Sequence, residues 1–368
     1  MDFRFTSEQE AFGLSLKTAC GKRLAHLRMQ GADGRQHLIH SLMHSLGLFG
    51  LMLDTEPEDA QITAVEAMLV SEELGRWNAN SEFVESVVLC GELLRVAASS
   101  DQRHRWLRLL SQGSLGFSMP LSADGFPNYV NSARFERQGA IYCLNAKRLL
   151  VSNLPSCEVL LVPASNSDGS DSHVFGVSRG QTGLSWTTFE ALDGTLWAYL
   201  DLTDVVVDEA DVLRLQDGAS DALNHALDAA RACLCAESLG AAEVLFSLRR
   251  DHLALRKQFG RPLSSNQSLR HKVADMRISI VLMRSITYLA ATAVAESAPD
   301  RRGHMVSCAK YFVDERARAI AEQAIQLLGA IGMSEECAVG DCARRLLFVG
   351  HRLGSGWNHL GRMTALSL

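Results

Sequence analysis

No uncharged apolar run in this chain reaches the ~20 residues that a helix needs to cross a bilayer. The opening stretch, MDFRFTSEQE, is charged and polar and lacks the apolar centre of a secretory signal. There is no excess of positive charge: 36 Lys and Arg face 42 Asp and Glu, a formal charge of −6. That balance gives no electrostatic reason to bind nucleic acid or an anionic membrane. The nine cysteines are an odd number with no two CxxC pairs, so neither a disulfide framework nor a zinc site is expected. GxGxxG, GKS/GKT, GxSxG and HExxH motifs are all missing, as are internal repeats and low-complexity tracts. A soluble, cytoplasmic protein without a metal is the expectation.

What remains is a chain of 368 residues, 47% hydrophobic, enough for two or three domains with a large core. Its texture changes twice. Residues 1–112 read as an all-α domain. Ser7 followed by Glu10 has the form of a capping box, and Ala67, Met68, Leu69 and Leu74 make an apolar stripe with Glu66, Glu72 and Glu73 on the other side. Residues 113–217 hold short β-rich runs (141–144, 159–163, 174–177 and 197–207) separated by polar turns, which predicts a small antiparallel barrel or sandwich. From 218 to 368 the helical period returns, as in Leu223, Leu227, Ala230 and Leu234. Breaks near 260–262, 298–299 and 329–332 divide that region into an expected four-helix bundle. The fold class is therefore α+β and multidomain.

Two places could carry chemistry. His37, His40 and His44 are spaced to share a helix face, which suits a metal or, more simply, three solvated side chains. The stretch 256–276, RKQFGRPLSSNQSLRHKVADM, is more informative. Arg256 ends a helix and can grip a pyrophosphate through paired hydrogen bonds, while Phe259 and Gly260 form a turn that sets an aromatic ring beside it. The plainer reading is a helix corner with solvated charges.

RKQFGRPL with Gln267 and then ADM resembles the flavin-binding segment of the acyl-CoA dehydrogenase family. AIQLLGAIGM at 324–333, residues 144–162, SEELGR at 71–76 and VVVDEADVL at 205–213 resemble further family segments. The resemblance implies FAD held between the β domain and the bundle. Arg256 would hold its pyrophosphate, Phe259 would border the flavin–adenosine pocket, Gln326 would contact the adenosine end, and Gly329 would be a further cofactor-binding position. Arg231 would lie near an acyl-CoA substrate, and an electron-transfer flavoprotein would reoxidise the flavin.

The same alignment removes the base. The position of the family's usual glutamate is Leu353, in RLGSGW, and the alternative position is Ala230. Flavin contacts are eroded as well: Pro120 lacks an N–H, Leu150 replaces an aromatic ring, and Ala330 replaces a glycine. Glu237, two helical turns from Ala230, is either a displaced base or a structural acid. These losses, with the tail RLLFVGHRLGSGWNHLGRM, resemble the small, base-lacking subunits of two-chain acyl-CoA dehydrogenases, including those of steroid catabolism. The expected role is therefore to complete the FAD site of a larger partner chain acting on a bulky acyl-CoA. The alternatives are a self-sufficient enzyme using Glu237 and a non-catalytic scaffold.

Overall fold

A computed structural model describes residues 5–23, 32–51, 60–79, 81–114, 116–120, 133–214, 219–258, 260–296, 298–328 and 338–366. They pack as two compact units. One comprises 1–35, 64–80 and 231–368; the other comprises 36–63 and 81–230.

The second unit centres on a sheet. Strands β1 (Phe117–Ser118), β2 (Arg134–Gln138), β3 (Ile141–Ser152), β4 (Val159–Ser165), β5 (Ser172–Ser178), β6 (Leu184–Glu190), β7 (Leu196–Asp208) and β8 (Val212–Arg214) contain all four β-rich runs of the sequence. Their order is β6-β7-β3-β2-β4-β5-β8, with β1 beside β4. Most pairings are antiparallel, as the short strands and polar turns predict, but β1 and β2 both meet β4 in parallel. Strand β3 alternates, turning Tyr142, Leu144, Leu149 and Val151 into the core. All seven residues of β4 are buried, which explains its continuous apolar run. The same unit includes the helix α2 (Ala32–Ser45) from residue 36 onward, where His40 pairs with Glu82 at 2.8 Å.

The first unit is helical. Helix α1 (Ser7–Arg23) begins one residue earlier in cap terms than the sequence suggests. Thr6 Oγ1 accepts from the Gln9 N–H at 3.2 Å, and Gln9 Oε1 accepts from the Thr6 N–H at 3.1 Å. That reciprocal pair leaves Ser7 as the first helical residue. Helix α3 (Ala60–Arg76) crosses the long helix α4 (Ala219–Leu255). The glutamates expected on its solvent side are buried. Glu73 accepts from Trp77 Nε1 at 2.9 Å, and Glu72 accepts from both Arg76 and Arg284. Arg76 and Arg284 also reach Glu243, closing a ring of two acids and two guanidiniums across three helices.

Helices α5 (Gln267–Glu296) and α6 (Pro299–Leu328) complete three long members of the bundle. The fourth is divided into α7 (Ala338–Val349) and α8 (Gly356–Leu366), because Leu353 and Gly354 adopt positive φ between them. Among the described residues α5 alone is long and apolar enough, by length and composition, to cross a membrane. Here it packs along α6 and carries Asp275, Arg277 and Arg284 within its length, as a bundle helix can.

Two glycines set the α3–α4 crossing. A Cβ on Gly240 would overlap the Glu72 carbonyl oxygen, and one on Gly75 would overlap that of Glu237. The helices therefore touch backbone to backbone, a distance that no larger residue permits. Gly240→Ala is expected to lower stability by at least ~2 kcal/mol, read as a reduced urea midpoint with an unchanged slope.

Candidate active site

The middle of α4 gathers buried polar groups of the helical unit. Arg231 is 1% exposed, and its Nε donates to the Leu353 carbonyl at 3.2 Å. His359 Nε2 approaches the same oxygen at 3.2 Å. A carbonyl can only accept, so Nε2 carries the ring proton, and Nδ1 is the acceptor that faces Ser307 Oγ at 3.4 Å. Two turns along α4, Glu237 is 4% exposed. Its Oε1 accepts from Arg345 Nε at 2.7 Å and its Oε2 from Arg352 Nη1 at 3.3 Å. Lys310, on α6, donates to both Asp314 oxygens at 2.7 and 2.8 Å and to the Gly350 carbonyl at 2.9 Å. Its ammonium thereby satisfies the C-terminal end of α7, where carbonyls lack helical partners.

These contacts converge on the turn 350–355. Lys310 holds it at Gly350, Glu237 at Arg352, and Arg231 and His359 at Leu353. Leu353 itself sits at φ 55. A non-glycine residue in that region costs roughly 1–3 kcal/mol, which the surrounding bonds must outweigh. The turn is thus fixed in space, while the side chain at its apex is apolar and buried. Arg231 is committed to the backbone of this turn, which makes it a positioning residue here.

Electrostatics follow from burial. His359 is driven well below the usual imidazole range, first by burial and then by the charges of Arg231 and Lys310, so it is neutral in the folded chain. Burial pushes the Asp314 carboxyl up to about 7, against the opposing pull of Lys310. Both oxygens of Glu237 accept from guanidinium donors, charge-assisted bonds that tie α7 and the following turn to α4.

The remaining predicted residues lie elsewhere. Arg256 follows α4 directly, with an exposed side chain. It stands about 37 Å from Arg231 along the axis by helical rise. Its N–H donates to the His252 carbonyl and its own carbonyl accepts from Leu263, both at 2.9 Å. The β9 (Lys257–Gln258) and β10 (Arg261–Pro262) strands form a small ribbon there, with Gly260 at φ 78. Gln326 is exposed on α6. Phe259, Gly329 and Ala330 lie outside the described residues. The structure therefore brings Arg231 and Glu237 to the two ends of one turn, at Leu353 and Arg352, and leaves Arg256 and Gln326 apart from it. Arg345, Lys310 and Ser307 escaped the sequence reading; the i,i+4 spacing of Lys310 and Asp314 was the available signal.

FAD finds uneven support among these residues. The exposed guanidinium of Arg256, with Lys257 and Arg261 beside it, suits a diphosphate. In the β unit, Pro120 is buried and offers no N–H, and Leu150 is half-buried in β3. Ser118 Oγ donates to the Ser152 carbonyl at 2.9 Å, so this hydroxyl already has a partner. The phosphate half of the cofactor fits better than the flavin ring.

Two outcomes test this arrangement. Glu237→Gln leaves two buried guanidiniums short of a counter-charge and should cost about 3–5 kcal/mol in a urea titration. For His359, the unfolded ring takes a proton below its ordinary value near 6.5 and the folded ring does not. Stability therefore falls as the pH falls through that value. Asp314 contributes with the opposite sign, because its folded carboxyl keeps a proton to higher pH. The difference between wild type and His359→Gln isolates the ring: it should shrink by ~1 kcal/mol per pH unit below pH 6.

Comparisons with known proteins bear on the family and the fold. The profile for acyl-CoA dehydrogenase N-terminal domains matches residues 6–114, and that for acyl-CoA dehydrogenase C-terminal domains matches residues 216–356. Bovine mitochondrial isobutyryl-CoA dehydrogenase is 27% identical over 332 residues, 86% of this chain and 78% of its own. Among solved structures, the Tcur3481-Tcur3483 steroid acyl-CoA dehydrogenase superposes with a TM-score of 0.82 at 24% identity, over 98% of this chain and 97% of its own. The ChsE4-ChsE5 complex from Mycobacterium tuberculosis does so with a TM-score of 0.84 at 21% identity, over 99% and 98%. At those identities the structural likeness speaks for the fold. The helical–β–helical order and the two profile matches, which together span more than half of the sequence, show that this chain belongs to the acyl-CoA dehydrogenase family, whose members bind FAD.

Proposed function

We propose that this chain is the base-lacking subunit of a two-chain acyl-CoA dehydrogenase. The observation that carries the reading is the turn 350–355: Arg231, Lys310, Glu237 and His359 hold it, and its apex is Leu353. Leucine cannot take the α-proton of a thioester. Ala230, the other family seat, is equally inert, and Glu237 has both oxygens engaged by arginines. A proton acceptor must then come from another chain.

FAD, when bound, supplies the hydride acceptor for α,β-dehydrogenation of a CoA thioester. This chain's part is placement. Arg256 would hold the diphosphate and Gln326 the adenosine end, both from exposed positions open to a neighbouring chain. Helix α5 presents Ile278, Val281 and Leu282 to solvent at helical spacing, an apolar stripe suited to burial in an assembly. Two of the similar structures are named for paired chains, and one is named as a steroid enzyme. A larger catalytic subunit, a bulky acyl-CoA and an electron-transfer flavoprotein are the partners this reading calls for.

The chain purified alone should be colourless and inactive, and the same chain co-purified with a longer relative should be yellow and turn over an acyl-CoA. Flavin and activity in the chain alone would overturn the proposal. Flavin and turnover in the chain alone, with the turnover but not the flavin lost in Glu237→Gln, would favour the self-sufficient alternative.

A further inference from the structure

The C-terminal end of α4 holds a buried charge. Arg249 is 0% exposed. Its Nη1 donates to the Ala324 carbonyl of α6 at 3.0 Å, while Nε and Nη2 have no partner among the described residues. One residue away on α6, the side-chain oxygen of Gln323 is also buried without a donor among them. Burial lowers the Arg249 guanidinium, to about 10, and no carboxylate among the described residues offsets it. Native interiors rarely tolerate such a group, because an uncompensated buried cation is strongly destabilising.

Its position along the helix explains what it could serve. Arg249, His252 and Arg256 are spaced three and four residues apart, so they lie on one face over two turns. His252 feels both guanidiniums, which together with burial push its ring down from the ordinary imidazole range. The stripe thus runs from a buried cation, through a half-buried ring, to the exposed Arg256.

We infer that Arg249, His252 and Arg256 form a diphosphate-binding stripe in which the ligand's phosphates supply the counter-charge that Arg249 lacks. The inference rests on the reading of this corner as a dinucleotide site and extends it inward by two residues. Arg256 makes the first contact at the exposed end. His252 adds an N–H donor, and Arg249 acts from below as a buried cation whose field is little screened.

The test uses the full-length chain with ADP and pyrophosphate as probes. Calorimetry should show ADP binding that pyrophosphate displaces and that added salt weakens. Arg249→Met should raise the thermal midpoint of the ligand-free chain, since it removes an unpaired buried charge, and yet weaken ADP binding about tenfold. His252→Gln, at a half-buried position, should weaken binding with little change in midpoint. Wild type that binds neither probe, ADP that pyrophosphate does not displace, or unchanged affinity in both variants would each overturn the inference. Flavin retained by the chain alone would defeat the partner-subunit proposal and leave this one standing; failure of the diphosphate competition would do the reverse.

Discussion

The buried carboxylate of Glu237 is the contact on which the helical unit turns. It sits where α4 crosses α3, with Gly75 pressed against its backbone carbonyl. Its side chain draws Arg345 from α7 and Arg352 from the following turn into the interior. Removing it would leave both guanidiniums short of a counter-charge, which is strongly destabilising in an interior. One acid thus fixes a helix crossing, a short helix and the turn that ends at Leu353.

The turn itself is held from several sides. Arg231, Lys310 and His359 each engage it, and its backbone is kept at a positive φ that leucine disfavours. The residue at its apex, Leu353, is apolar and buried. The proposal that the base comes from another chain starts from that residue.

The C-terminal end of α4 shows a different pattern. There Arg256 is exposed, and Arg249 is buried with no acid beside it among the described residues. A single 37-residue helix therefore carries a buried acid bound by two arginines at its middle and a buried arginine without such an acid, among the described residues, near its end. The first reads as structure and the second as a place for an anion.

Much of this was legible in the residues. The three-part layout, the helix ends near 260, 298 and 329, and the four β-rich runs follow from periodicity and turn residues, which act locally. That Leu353 and Ala230 cannot titrate follows from residue identity alone. Other features depended on distant contacts. Glu66, Glu72 and Glu73 look like a solvated face, and only the approach of Arg76, Arg284 and Trp77 allows Glu72 and Glu73 to be buried. The parallel contacts of β4, the split of the fourth bundle helix, and the engagement of Glu237 by Arg345 and Arg352 came from the same source. Local sequence determines where chain segments are helical or extended, because that depends on neighbours a few residues apart; which buried charges find partners depends on groups brought together from far along the chain, and only the tertiary structure decides it.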